Sequence, residues 1–202
     1  MTESPQRLVL ASKSISRRQI LTKAGIAYEW ADADVDETKI KHQGLADEKS
    51  PDEIAVMLAH AKALRVAKQH ADAIVLGCDQ ILVSDGHLFD KPQDLDDARQ
   101  HLMTFRGTSH TLISAMVLLS PDAAPWEYTD HAILTVREFS DTFLDDYIKS
   151  EGESILTSVG AYRLEGRGIQ LFDDIVGNYF TILGLPLLPL LNELRQRGGL
   201  EV

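Results

Sequence analysis

The apolar positions of this chain fall into short runs of strand length and longer stretches with a helical period. Ala73-Ile74-Val75-Leu76 is an unbroken apolar run, short enough for a buried strand, and it leads to Asp79 at that strand's mouth. The chain continues as Gln80-Ile81-Leu82-Val83, meets the turn pair Asp85-Gly86 and returns as His87-Leu88-Phe89, which predicts a hairpin. Counting back from a two-residue turn pairs Val83 with Leu88, Ile81 with Asp90 and Gln80 with Lys91. Lys91 then returns beside Asp79. In the ideal register the two side chains point to opposite faces, so their meeting needs a bulge, strand twist or the reach of the lysine.

Upstream, Arg7–Ala11 reads as a first buried strand running into the polar loop Ser12-Lys13-Ser14-Ile15-Ser16. A short helix carrying Arg17 and Arg18 follows, capped by Ser14 or Ser16 and closed at Gly25. Ala27–Ala31 predicts a second strand, and the acidic run Asp32-Ala33-Asp34-Val35-Asp36-Glu37-Thr38 comes after it. The helix beginning at Ser50 carries a full set of start signals: Ser50 as N-cap, Pro51 at the first helical position and Glu53 to complete a capping box. Its apolar stripe is Ile54, Met57, Leu58, Ala61 and Leu64, with Lys62 beside that stripe, four residues after Leu58.

Beyond the hairpin, Asp94 caps a helix through about Phe105 that Gly107 stops. Thr108–Leu119 and Ala132–Phe139 are β-prone and separated by a turn at Pro121–Pro125. Ser140 caps an amphipathic helix over Asp141–Lys149 that ends at Gly152. The glycines of Gly160–Gly166 and Gly168–Phe172 lie in strand-like sequence and predict backbone packed close to a ligand or another strand. Thr181–Gly184 ends a further strand, and Pro186–Arg197 is a final helix. With no repeat and no Pro/Gly/Ser linker, residues 1–202 read as one α/β unit with a central sheet and a cleft.

Composition narrows the function. A formal charge of −11 argues against broad electrostatic binding to nucleic acid, so an anionic substrate needs a local basic cluster. The single cysteine, Cys78, excludes an intramolecular disulfide, fits a reducing compartment and reads as a small buried hydrophobe. The N-terminal segment lacks a signal-peptide core, and the apolar stretch near Thr181–Leu191 is broken by Gly184, Pro186 and Pro189 and too short to span a bilayer. A soluble, cytoplasmic protein with no membrane partner is expected.

Several segments carry groups suited to phosphate. The strand, serine loop and arginine-bearing helix start make an anion pocket, although no GxxxxGK[ST] is present; solvated surface arginines are the alternative. The four carboxylates between Asp32 and Glu37 need either full solvation or a cation, for which hard oxygens suit Mg²⁺ or Mn²⁺. Asp79 with Lys91 suits a metal-assisted phosphate site, or else forms the solvated rim of an ordinary hairpin. Lys62 threads its stem along the core toward a cleft, or is a surface lysine. The absence of HExxH, a Cys/His cluster and GxSxG argues against zinc chemistry and a serine-hydrolase elbow.

Taken in order, LVLASKSISRR, VDET, LAHAKA, GCDQILV…DKP, GTSH, YIKSEGE, GAYRLEG and NYFTILGLPLLPLL resemble the Maf family of nucleoside triphosphate pyrophosphatases over nearly the whole chain. That resemblance implies an inosine-triphosphatase-like α/β fold, with an elongated mixed sheet flanked by helices and an active cleft between two lobes. It implies hydrolysis of a nucleotide's α–β phosphate linkage to a nucleoside monophosphate and pyrophosphate with a divalent cation, and a homodimer. The family's proton acceptor falls on Asp79, its acidic metal ligand on Glu37, and its phosphate-binding positions on Ser12, Arg17, Lys62 and Lys91. Asp79 is expected to share the metal with Glu37. A triphosphate's roughly four negative charges must be neutralised before water attacks phosphorus, which these cations and a metal accomplish.

Three specificity positions fall on Ser16, Gln80 and Glu165. Gln80 and Glu165 side with the family's 7-methyl-GTP branch, where a glutamate complements a positively charged methylated base. Ser16 stands where that branch has a tryptophan, forfeiting about 1–2 kcal/mol of cation–π attraction, and Ile15 replaces the usual proline. The alternatives are the dTTP/UTP pyrophosphatase branch, a nucleotide-binding regulator of septum formation, and an aspartyl phosphatase acting through the Asp32–Asp36 run.

Overall fold

The computed structural model describes residues 6–200; the first five residues of the N-terminal segment read above for a signal peptide lie outside the described residues. The strands are β1 (Leu8–Ala11), β2 (Glu29–Trp30), β3 (Ile74–Ser84), β4 (His87–Phe89), β5 (Ser109–Ser120), β6 (Ala123–Val136) and β7 (Phe172–Gly177). The helices are α1 (Ile15–Lys23), α2 (Glu37–Ala46), α3 (Pro51–Ala67), α4 (Leu95–Phe105), α5 (Asp141–Glu151), α6 (Tyr179–Ile182) and α7 (Leu187–Gln196). The strand order is β2-β1-β3-β5-β6-β7, with β4 paired to β3. β1 runs parallel to β2 and β3, whereas β4 is antiparallel to β3 and β7 to β6, so the sheet is mixed, as expected of this α/β chain.

Two compact units divide the chain. The first takes the residues up to Asp79, Ser114–Asp130 and those from Tyr179 onward; the second takes Gln80–Ile113 and His131–Asn178. In the first unit the strand period of two sorts side chains onto opposite faces. Leu8 and Leu10 of β1 and Ile74, Leu76 and Cys78 of β3 form one core with Ile20 and Leu21 of α1 and Leu187, Leu190 and Leu194 of α7. Val75, Gly77 and Asp79 therefore point the other way, toward α3.

Gly77 is the contact that sets this second face. A Cβ there would lie 2.1 Å from the carbonyl oxygen of Ala59 and 2.8 Å from the amide of Ala63, so α3 rides directly on the strand backbone. The capping box of α3 forms as predicted, with Ser50 and Glu53 exchanging side-chain and backbone hydrogen bonds. Its buried face differs from the expected stripe: Ala55, Ala59 and Ala63 are buried with Ile54, Leu58 and Val66, while Leu64 is 44% exposed. Close approach to a glycine selects the alanines, and the larger Leu64 is left outside.

In the second unit an aromatic group surrounds His110, with Phe105 and Phe172 beside it and its Nε2 2.7 Å from the hydroxyl of Tyr162. Asp94, Gly107, Ser140 and Gly152 delimit α4 and α5 as the sequence predicts. The hairpin forms through Asp85 and Gly86, both at positive φ, with Val83 opposite Leu88.

Several expectations are corrected. Asp79 lies inside an 11-residue strand rather than at the end of a short one. The ladder with β4 runs only from Ser84–His87 to Leu82–Phe89, so Asp90 and Lys91 follow the strand instead of continuing it; Pro92 restricts the residue before it and offers no N–H. The second strand shrinks to Glu29–Trp30. The acidic run ends in a helix, α2, because Asp36 caps it by accepting the Lys39 amide at 2.9 Å. β6 begins at Ala123 and ends at Val136, short of Phe139. The glycine-rich 160–171 segment is turns and a 3-10 turn at Arg167–Leu171 rather than strand, although Gly168 does approach the backbone of Arg163 closely. Thr181–Gly184 ends a helical turn, and the strand lies earlier, at β7.

Candidate active site

The first unit gathers five of the predicted residues around the end of β1 and the stretch of β3 beside it. β1 stops at Ala11, which lies opposite Gly77, while β3 runs on. Ser12 and Asp79 thus emerge just past the end of the shorter strand, the carboxyl-end position where open α/β sheets hold ligands.

Asp79 shares its face of β3 with Gly77, and Lys62 sits one residue before Ala63 on α3, so the glycine contact that seats the helix also brings lysine onto carboxylate. Lys62 Nζ lies 2.5 Å from Asp79 Oδ1 and 2.8 Å from Glu37 Oε1. The lysine and aspartate side chains are 12% and 7% exposed, whereas Glu37 is 47% exposed. One ammonium therefore joins a buried acid to one that opens on solvent. Asp79 Oδ2 has no protein partner among the described residues and is not among the buried unpaired atoms, so it is the oxygen that reaches solvent.

Arg17 is buried at 8% exposure, and three of its N–H groups are committed. Nε donates to the carbonyl of Gly184 at 2.8 Å, and Nη1 donates to Ser12 Oγ at 3.1 Å and to the carbonyl of Cys78 at 2.9 Å. Nη2 makes no bond to the described residues and is not a buried unpaired atom, so this half of the guanidinium fork faces solvent. Ser12 Oγ also accepts the amide of Ser14, which leaves its own O–H to donate outward. Ser14, not Ser16, caps α1, and Ser16 is partly buried in the first turn.

Three of the four carboxylates in the acidic run are paired or bonded. Asp32 pairs with Lys13 at 2.6 Å, Asp36 is spent on the helix cap and Glu37 on Lys62. The pairing lowers the Asp32 pKa and raises that of Lys13.

The second unit holds Gln80, Lys91 and Glu165. Gln80 is partly buried on β3, Lys91 is exposed after β4, and Glu165 accepts from the Arg163 guanidinium at 3.3 Å. Cys78 is fully buried, as expected, and burial pushes its thiol up to about 11.

Backbone acceptors are what sequence reasoning missed. The carbonyls of Cys78 and Gly184 orient Arg17, and no residue type announces a carbonyl. Gly77 did carry a signal: a glycine inside a buried strand marks close approach of another backbone.

The donor set suits a hard divalent cation. Two carboxylates already converge on one cationic centre, the Lys62 ammonium; no group of three or more His, Cys, Asp or Glu gathers at this site or elsewhere among the described residues. One or two carboxylates, completed by water and phosphate oxygens, is the pattern typical of Mg²⁺.

The class defined so far is a mixed α/β protein in which an acid pair, a bridging lysine and a half-free arginine gather beside β1 and β3. The family model described as Maf-like protein matches residues 7–197, and the chain belongs to the Maf family. It is 47% identical over 196 residues to a nucleoside triphosphate pyrophosphatase of Granulibacter bethesdensis, covering 97% of this chain and 100% of that protein. It is 46% identical over 194 residues to a 7-methyl-GTP pyrophosphatase of Rhizobium meliloti, covering 96% of this chain and 98% of that protein. A nucleoside triphosphate pyrophosphatase of Paramagnetospirillum magneticum is 46% identical over 192 residues, with 95% and 99% covered.

Proposed function

We propose that this protein hydrolyses the α–β phosphate linkage of a nucleoside triphosphate, releasing pyrophosphate and a nucleoside monophosphate. The observation that carries this reading is the shared ammonium of Lys62, which holds the buried Asp79 beside Glu37 while leaving one oxygen of Asp79 open. Full-length relatives named as nucleoside triphosphate pyrophosphatases support it.

Arg17 Nη2 and the Ser12 hydroxyl donate to phosphate oxygens from a rigid frame, because the rest of that guanidinium is already fixed to protein. Asp79 Oδ2 takes the proton of the attacking water, a role that requires it to be ionised and within hydrogen-bond reach. Lys62 fixes the carboxylate plane through its bond to Oδ1. Glu37 and Asp79 would hold Mg²⁺ or Mn²⁺, which when bound neutralises phosphate charge and polarises the phosphorus.

The substrate favoured is 7-methyl-GTP, with dTTP and UTP as the alternative. Gln80 and Glu165 occupy the positions that side with the methylated guanine branch, and several relatives carry that name. Asp79→Asn tests the catalytic assignment. The substitution keeps shape and is expected to lower turnover about 10³-fold when assayed below the variant's melting temperature, which falls because Lys62 loses a buried charged partner; near-normal turnover would remove Asp79 from the role of base.

A further inference from the structure

Thr181 is fully buried and carries no role in the site described above. Its hydroxyl donates to Asp130 Oδ2 on β6 at 2.5 Å. Its carbonyl accepts from Ser114 Oγ on β5 at 2.8 Å and from the Gly184 amide at 2.9 Å. Ser114 is itself fully buried. Gly184, at φ +84°, then turns its own carbonyl onto Arg17 Nε at 2.8 Å.

A guanidinium is planar, so fixing Nε and Nη1 fixes the direction of Nη2. The plane of Arg17 is set at two places: by Ser12 and the Cys78 carbonyl at Nη1, and by the Gly184 carbonyl at Nε. The second is tied to Thr181 through the Gly184 amide, which donates to the Thr181 carbonyl, and Thr181 is in turn held by its side chain on Asp130. We propose that Thr181, gripped by Asp130 and Ser114, is a positioning residue that sets the aim of the substrate-binding guanidinium of Arg17. This inference rests on the assignment of Arg17 to phosphate binding, and it gives the Asp130–Thr181 pair a purpose beyond packing: a chain of hydrogen bonds runs from two sheet strands to the arginine beside the catalytic strand. Buried polar chains of this kind hold a geometry tightly only when every member is satisfied.

The test uses the full chain with Thr181→Val, Thr181→Ser and Asp130→Asn. Two readouts separate the positioning claim from the functional one. The first is solvent exchange of the Arg17 Nε–H, followed by nitrogen-15 NMR without substrate: Thr181→Val should accelerate it about tenfold while Thr181→Ser restores protection, a change of the size a hydrogen bond to a charged group supports. The second is steady-state hydrolysis of the nucleoside triphosphate: KM should rise about tenfold in Thr181→Val and Asp130→Asn with kcat changed less than about threefold, and Thr181→Ser should recover KM. Unaltered exchange of Nε–H in a folded Thr181→Val overturns the inference, as does a fall in kcat with KM constant. If Thr181→Val does not fold, Thr181→Ser and Asp130→Asn decide by the same readouts. If the wild-type protein cleaves no nucleotide, the functional reading fails while the exchange measurement still judges the positioning.

Discussion

Substituting Gly77 by alanine puts the relation between fold and site under direct stress. The new Cβ would sit 2.1 Å from the carbonyl oxygen of Ala59 and 2.8 Å from the amide of Ala63. Both are backbone atoms of α3, so no rotamer relieves the clash. Real Cβ contacts essentially never fall below 3.0 Å, and the helix must therefore retreat by about 1 Å or β3 must bend by as much. Overpacking of this kind costs about 1–3 kcal/mol, which for a chain of this length lowers Tm by about 3–10 °C. Lys62 moves with the helix. Its 2.5 Å bond to Asp79 Oδ1 stretches toward the limit of a hydrogen bond, and a displacement of about 1 Å at a reacting group is worth about 10²-fold in rate. The assay is pyrophosphate release at saturating nucleotide, run well below the mutant's Tm so that loss of fold does not masquerade as loss of chemistry. A Gly77→Ala protein with wild-type Tm and wild-type kcat would refute the claim that this glycine seats Lys62 on Asp79.

Other consequences are open to simple measurements. Burial holds the His110 imidazole down to about 4, against about 6.5 in the unfolded chain, so the folded state keeps it neutral. Between those values the unfolded chain binds a proton that the folded one refuses; stability is fully present above pH 6.5 and declines as pH falls toward 4, by up to about 3 kcal/mol. Denaturant titrations across that window should show the decline in the wild type and a flatter profile in His110→Phe; identical profiles would exclude His110 as the cause. Cys78 is fully buried with its thiol pushed up to about 11, so a thiol reagent at pH 8 should label it only after denaturation, and rapid labelling of the native protein would contradict its placement.

The legibility of this chain varied with the range of the interaction. Helix starts were plain because capping is local: Ser50 with Glu53, Asp94 and Ser140 act within one turn, and each sits where its sequence signature places it. The Asp85-Gly86 turn fixed the hairpin register for the same reason. The buried face of α3 was misjudged because hydropathy ranks Leu64 above Ala59, whereas packing on Gly77 ranks small above apolar. α2 was missed because its start consists of acids that read equally well as a solvated loop, and only Asp36 acting as a cap distinguishes the two.

The site divides along the same line. Asp79, Glu37, Lys62, Arg17 and Ser12 were named from the chain, and their grouping in the first unit follows from the parallel register of β1 and β3 and the seating of α3. The carbonyls that aim Arg17 had no signature, because main-chain acceptors carry no residue identity. The route to them, through Thr181 and Asp130, joins positions 51 residues apart, and Asp130 lies outside every element the sequence predicts.

The most direct measurement is the identity of the phosphate product. The protein, with Mg²⁺ and with 7-methyl-GTP, dTTP and UTP in turn, should release pyrophosphate and a nucleoside monophosphate in equal amounts, and Asp79→Asn should stop that release. Orthophosphate as the primary product, or undiminished pyrophosphate from Asp79→Asn, would contradict the assignment of Asp79 and its Lys62-bridged partner to this chemistry.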